Sequence, residues 1–284
     1  MYNLPRDLSE EVLCRIPLTS LRPVRSTCKK WSTLSKCGSF AKKHLAQAKV
    51  LADAKEFMVV LMMNFRVYLM RVNLQNNVVE SSSSSSSSSS CIKREAKLIS
   101  LGDEEADISQ VFHCDGLLLC ISITESKTRL VVWNPYWGHT RLFEPTHQFN
   151  KFDSYSYALG YDKSRKSHKI LRGITCLDPF FDEFKIYDFN SDLWRDLDVT
   201  PEWHLWQMLH GVSLKGNAYW FARENYTETM DTDHFFLLCF DFTSETFGPP
   251  LPLPFEFAVS EDTMSVSSVR EEQLVVLYQP WDYL

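Results

Sequence analysis

Apolar positions along this chain follow two rhythms. In the first fifty residues they recur at intervals of three and four: Leu8, Val12, Leu13 and Ile16, then Leu21, Val24, Cys28 and Trp31. That is the period of amphipathic helices. Asp7 stands at an N-cap position, Glu10 completes a capping-box pattern, and Pro17 halts the segment. Ser20 is the next N-cap candidate, and Pro23 suits the first turn behind it, where a missing N–H costs little. A third helix is expected from Ser39 through Phe40, Leu45 and Ala48. Three helices this short bury little surface between them. Their stripes must therefore pack either on the rest of the chain or on a partner helix.

Beyond residue 56 the apolar runs shorten and fill with Val, Ile, Leu, Phe, Tyr and Trp. Nine of them read as strands: 57–63, 66–72, 116–121, 130–133, 169–173, 184–189, 218–221, 235–242 and 274–278. No convincing twelve-residue amphipathic helix follows Ala52, so this part is a β domain. Ten consecutive serines, 81–90, offer nothing to a core and read as an expanded disordered loop between strands. A repeat runs through the β part. Ile186-Tyr187-Asp188-Phe189-Asn190-Ser191-Asp192-Leu193-Trp194 returns as Cys239-Phe240-Asp241-Phe242-Thr243-Ser244-Glu245-Thr246-Phe247, and Val132-Trp133-Asn134-Pro135 is a degenerate copy. Short glycine-containing strands lie upstream, at Asp115-Gly116-Leu117-Leu118-Leu119 and Lys215-Gly216-Asn217-Ala218-Tyr219-Trp220. A period near fifty residues with such hairpins is what the blades of a kelch-like propeller show.

Charge divides the chain in the same place. Residues 1–50 hold ten Lys/Arg against Asp7, Glu10 and Glu11, a net of +7, which leaves −13 on the remainder of a chain of net charge −6. Two modules with different partners follow from that asymmetry. The acidic remainder would repel phosphate, so nucleic acid is not an expected partner. The eight cysteines contain no CxxC pair, and Cys14 and Cys28 fall within the apolar stripes as small buried hydrophobes do. Reduced thiols place the chain in the cytoplasm or nucleus. The run 57–63 is too short to span a bilayer, and the N-terminus lacks the apolar run of a signal peptide, so a soluble protein is expected.

The N-terminal residues carry a resemblance. Leu4-Pro5-Arg6-Asp7-Leu8-Ser9-Glu10-Glu11-Val12-Leu13-Cys14-Arg15-Ile16-Pro17, then Ser20-Leu21-Arg22-Pro23-Val24-Arg25-Ser26-Thr27-Cys28-Lys29-Lys30-Trp31, closely resembles the plant F-box motif, LPxDLxxEILxRLP followed by SLxxxRxxCKxW. Val12 and Ile16 are conservative departures from its usual Ile and Leu. The resemblance implies binding to a Skp-type adaptor and, through it, to a cullin. It places Leu4, Pro5, Leu8, Ile16, Pro17, Leu18, Leu21 and Val24 in or beside that contact, with Trp31 in the motif's own core or at the partner. The second part resembles the F-box-associated domain that follows the F-box in a large plant family. The segments Gln110-Val111-Phe112-His113-Cys114-Asp115-Gly116-Leu117-Leu118, Val131-Val132-Trp133-Asn134-Pro135, Ala158-Leu159-Gly160-Tyr161-Asp162 and Gly211-Val212-Ser213-Leu214-Lys215-Gly216-Asn217-Ala218-Tyr219-Trp220 carry it.

The fold expected is α+β and multidomain. A three-helix F-box over 1–50 precedes a strand-containing connector over 51–94 and an all-β, kelch-like propeller domain over 95–284. Family members continue for further strands, so that propeller is expected to be C-terminally truncated. The function the resemblance implies is substrate selection in a Skp–cullin–F-box ubiquitin ligase. The alternatives are a truncated adaptor competing for the Skp-type subunit, and a propeller enzyme or small-ligand binder. No P-loop, dinucleotide fingerprint or G-x-S-x-G elbow appears. His113-Cys114 with Cys120, and His234 with Cys239, lack zinc-ligand spacing, so neither a metal nor a cofactor is expected. Trp133, Trp137, Trp194, Trp203, Trp206 and Trp220 read mostly as packing residues, with one or two free to form a substrate hot spot.

Overall fold

In the computed structural model the described residues are 5–14, 16, 24, 26–35, 40, 43–44, 56–73, 92–97, 107–123, 128–135, 139–143, 154–177, 180–199, 201–206, 211–224, 235–256, 262–269 and 271–280. The serine tract, Leu4, Pro17, Leu18, Leu21 and Trp137 lie outside them. The chain divides into two compact units, Met1–Ile108 with Trp133–Arg141, and Ser109–Val132 with Leu142–Leu284.

The first unit opens with helix α1, Arg6–Cys14, and continues with α2, Lys29–Ser35. Helical residues also occur at Val24, Ser26, Thr27, Phe40, Lys43 and His44, where the sequence places parts of its second and third helices. Two expectations are corrected. Asp7 lies inside the first turn of α1 instead of capping it, because the helix already begins at Arg6 and the Ser9 N–H donates to the Pro5 carbonyl at 3.0 Å. Cys28 is exposed and outside the helix, immediately before α2, where its Sγ accepts from the Trp31 N–H at 3.4 Å; it works as a cap, not a core residue. Leu13, Cys14, Leu34 and Phe40 form the core of this segment, with Ile16, Val24 and Trp31 packed half-buried against it. The unit also holds a three-stranded antiparallel sheet of β1 (Glu56–Met63), β2 (Arg66–Asn73) and β3 (Ile92–Lys97), in that order.

Every one of the nine expected strands falls in a strand of the structure, although Gly116, Phe189 and Phe242 belong to turns. The first four-stranded sheet runs β4 (Gln110–Cys114), β5 (Leu117–Ile123), β6 (Thr128–Asn134), β7 (His139–Phe143). The second runs β8 (Ser154–Asp162), β9 (Ser167–Leu177), β10 (Phe180–Asp188), β11 (Leu193–Leu197), also in chain order. The third is the same meander with broken edges. There β12 (Trp203–Leu205) and β13 (Val212–Leu214) share one edge of β14 (Asn217–Glu224), and β16 (Thr246–Phe247) and β17 (Leu251–Pro252) share one edge of β15 (Phe235–Asp241). A two-stranded hairpin of β18 (Thr263–Val269) and β19 (Gln273–Gln279) follows.

Turn chemistry explains the repeat. Asp188 and Asp241 end their strands and bend their carboxylates back onto the chain. Asp188 Oδ1 accepts from the Asn190 N–H at 2.8 Å, and Asp241 Oδ1 accepts from the Thr243 N–H at 2.7 Å. Asp162 does the same for Ser164 and Arg165, both at 2.9 Å. Each turn closes on a left-handed residue: Asp192 (φ 61°), Glu245 (φ 60°) and Lys166 (φ 54°). The aromatics that resume each strand then pair across it, Tyr187 with Trp194 and Phe240 with Phe247. The glycine segments open as turns and continue as strands β5 and β14. Asp115-Gly116 (φ 49° and 78°) joins β4 to β5, and Lys215-Gly216 (φ 53° and 85°) joins β13 to β14, each with the two positive φ values that a tight hairpin requires.

Three buried clusters lie among the described residues of the second unit, the smallest being Phe221, Leu237 and Met264. Of the larger two, one gathers Phe112, Leu119, Ile121, Leu130, Val132, Tyr157, Leu159 and Ile170 between the first two sheets. The other gathers Ala158, Leu171, Ile186, Trp220, Leu238, Phe240 and Phe242 between the second and third. Alternate residues of β8 and β9 therefore point into different cores, which explains their near-continuous hydrophobic runs. Trp133 and Trp220 are buried, and Trp194, Trp203 and Trp206 are half-buried.

Candidate docking surface and polar centres

Helix α1 sorts its apolar residues onto two sides. Leu13 and Cys14 are buried together with Ser9, whose hydroxyl donates to the Pro5 carbonyl at 3.0 Å. Leu8 and Val12, one turn apart, are 50% and 45% exposed, and Pro5 just before the helix is exposed too. The single stripe read from the sequence is thus two: an inward one through Leu13, and an outward ridge of Leu8 and Val12. Ile16 and Val24, expected at the contact, are half-buried against the core; Leu4, Pro17, Leu18 and Leu21 lie outside the described residues. His44, also buried, brings its Nε2 to 2.8 Å of the Ile16 carbonyl and fixes the chain as it leaves α1. Burial pushes the Cys14 thiol up, against the pull of Lys43.

In the second unit the hydrogen-bonded turns converge on a buried ion cluster. Lys169 on β9 is 1% exposed, and its Nζ donates to Asp162 Oδ2 and Glu245 Oε1, each at 2.6 Å, and to the Phe242 carbonyl at 3.1 Å. Arg195 pairs with the other oxygen of Glu245. Burial alone would push the Asp162 carboxyl up. Hydrogen bonds from Lys169, Ser164 and Arg165, together with the Lys169 charge, outweigh it and hold that carboxyl well below the usual range. Glu245 is held low for the same reason, by Lys169 and Arg195 against its burial. The Lys169 ammonium and both oxygens of Asp162 and of Glu245 have partners, so the cluster is a structural clasp between the second and third sheets.

A third polar group lies where β4 turns into β5. Cys114, Asp115 and His168 bring one potential ligand atom each within 4.8 Å of the others. Cys114 is buried, His168 half-buried and Asp115 exposed. Burial pushes the Cys114 thiol up to about 12, reinforced by Asp115 and Glu271. Burial likewise lowers His168, which is therefore a neutral imidazole at neutral pH, against the pull of Asp115 and of its hydrogen bond to the Cys114 backbone. Sequence reasoning considered Cys114 and missed this grouping, because His168 arrives from another sheet and no local spacing announces it.

Comparison with known proteins decides the family. The F-box domain family matches residues 1–42, and the F-box associated beta propeller domain family matches residues 58–284. This chain is a plant F-box protein of the F-box-associated family. Its propeller-family match begins within β1, well before the segments that carried the resemblance. The F-box protein At3g19470 of Arabidopsis thaliana is 98% identical over all of this chain, which spans 74% of its length. The putative F-box protein At3g24580 and the F-box/kelch-repeat protein At3g16740, both of Arabidopsis thaliana, are 58% and 49% identical over 98% of the chain and 71% of their own lengths. Among solved structures, an endo-arabinase from Bacteroides thetaiotaomicron aligns over 80% of this chain and 89% of its own at 12% identity and a TM-score of 0.38. Among the described residues, no helix is long and apolar enough to cross a membrane.

Proposed function

We propose that this chain is the substrate-recognition adaptor of a Skp–cullin–F-box ubiquitin ligase. The observation that carries this reading is the Leu8/Val12 ridge: two large apolar side chains stand in solvent on a helix whose other side, Ser9, Leu13 and Cys14, is fully buried. An exposed ridge of i, i+4 residues is the anchor pattern with which one helix docks against another protein's apolar groove. It lies within the F-box match, and an F-box implies a Skp-type partner with a cullin behind it. In this reading Pro5, Leu8 and Val12, together with Leu4, Pro17, Leu18 and Leu21, meet the adaptor. Ile16 and Val24 act from beneath, holding α1 against Leu34 and Phe40.

The β domain then holds a protein substrate. Its contribution is positional, since a tethered substrate presents its lysines to the charged conjugating enzyme at high effective concentration. The chain supplies no catalytic residue, works in the cytoplasm or nucleus, and engages neither nucleic acid nor membrane. Co-expression of the full chain with a Skp-type adaptor tests the docking. Truncating an interface anchor costs about 2 kcal/mol, roughly thirtyfold in affinity. Leu8→Ala with Val12→Ala should therefore abolish co-purification. Because both side chains are exposed, the melting temperature should hold. Undiminished capture by the folded double variant would overturn the proposal.

A further inference from the structure

We infer that Cys114, Asp115 and His168 form a binding site for a single zinc-class dication that ties the β4–β5 turn to β9. The grouping has three independent features of a ligand set. First, the donors are a sulfur, an imidazole nitrogen and a carboxylate oxygen, a mixture that suits zinc; copper(I) prefers softer donors, and magnesium or calcium only oxygens. Second, the atoms are close enough. Zinc at about 2.3 Å from sulfur and about 2.0 Å from nitrogen puts tetrahedral donors about 3.5 Å apart. Donors already within 4.8 Å of one another close to that spacing by side-chain movements of about 1 Å.

Third, His168 has a ring nitrogen to give. Its Nε2 is buried with no hydrogen-bond partner, and the ring also meets the Cys114 backbone. Ligating histidines commonly have one ring nitrogen held by a carbonyl or carboxylate and the other on the ion. The Tyr161 ring, 5.0 Å from the imidazole centroid and edge-on to it, holds the ring plane. His113 lies outside the close group, and its Nε2 accepts from the Gly116 N–H at 3.0 Å. The charges of Asp115 and Glu271, both acting on Cys114, make the locality favourable to a cation. Binding expels the thiol proton to solvent and leaves a thiolate on the ion. Three protein donors leave the fourth tetrahedral position to water.

The site joins residues of the first and second sheets, so an ion there crosslinks two blades near the end of their shared core. Cobalt(II) serves as the spectroscopic probe. The full chain, stripped with a chelator and titrated with cobalt, should take up one equivalent and show a tetrahedral visible spectrum with a thiolate-to-cobalt charge-transfer band. Zinc should displace it. Cys114→Ser should remove the band. His168→Gln should weaken binding by at least the tenfold that loss of a supporting partner costs. Cys28→Ser, which alters an exposed thiol far along the chain, should change neither. Absence of the band from the wild-type chain, its survival in Cys114→Ser, or its loss in Cys28→Ser would overturn the assignment. Should Cys114→Ser fail to fold, Asp115→Asn decides: it alters an exposed turn residue, and unchanged cobalt affinity in the folded variant refutes the site.

Discussion

Replacing Lys169 by methionine should destabilise the β domain by an amount that depends on pH. Lys169 and Asp162 are each 1% exposed and Glu245 is 18% exposed, so the cluster exchanges little with water. Removing one member of a buried ion pair costs about 3–5 kcal/mol, mainly because the other charge stays buried and uncompensated. Here the lower end applies. Asp162 keeps the Ser164 and Arg165 donors, and Glu245 keeps Arg195. About 3 kcal/mol in a domain of this size is a fall in melting temperature of roughly 6–12 °C.

The pH dependence separates charge from packing. In the wild-type chain the Asp162 carboxyl is held below its unfolded value. A depressed carboxyl contributes stability that is complete above the unfolded value of about 4 and is lost as pH falls through the folded one. In Lys169→Met the largest opposing force is gone and burial pushes the same carboxyl up. Protonation then relieves the variant while it weakens the wild-type chain. The gap in melting temperature between the two should be widest near neutral pH and should narrow as pH approaches 4. Thermal unfolding followed by circular dichroism across that range is the assay. A gap that stays constant with pH would show that lost packing of the lysine stem, and not the ion cluster, sets the cost.

Two further outcomes follow from packing and burial. A Cβ on Gly160 would lie 2.0 Å from the buried Phe242 ring, so Gly160→Ala should lower stability by at least the 1–3 kcal/mol typical of overpacking, and an unchanged denaturant midpoint would contradict that contact. With its thiol pushed up to about 12 by burial, Cys120 is thiolate in only about one part in ten thousand at pH 8. Native-state alkylation mapped by mass spectrometry should accordingly label exposed Cys28 long before Cys120, and comparable rates would refute the burial.

What the sequence made legible is what local chemistry dictates. Period-two and continuous apolar runs located nine strands, and the Asp188 and Asp241 hairpins announced themselves because an aspartate closing its own turn needs no distant partner. The related Asp162 turn passed unnoticed; it joins β8 to β9, earlier in its sheet, and so falls out of the fifty-residue period. Short strands such as β12 and β13 were missed because three residues carry no measurable alternation. Helix α1 shows a finer failure. Spacing alone put Leu8 and Val12 on the stripe of Leu13, because a 3.6-residue period cannot say how wide the buried face is. Only Leu34 and Phe40, reaching α1 from later in the chain, settle which side is covered.

The polar centres of the β domain were illegible for one shared reason. Lys169 meets Glu245 across 76 residues, and His168 meets Cys114 across 54, so neither has a local signature. Both depend on β9, which pairs with β8 on one edge and β10 on the other and sends alternate side chains into two cores. Consecutive residues on such a strand must face opposite sheets. His168 thus turns toward the first sheet, where Cys114 waits, while Lys169 turns toward the third, where Phe242 and Glu245 supply oxygens. A polar pair at the start of an apolar strand reads as its solvated end when the strand is considered alone. On a central strand between two blades, the same pair is what allows each interface its own polar tie, one ionic and one, by the inference above, metallic. The strand's doubled burial is therefore the physical origin of both sites.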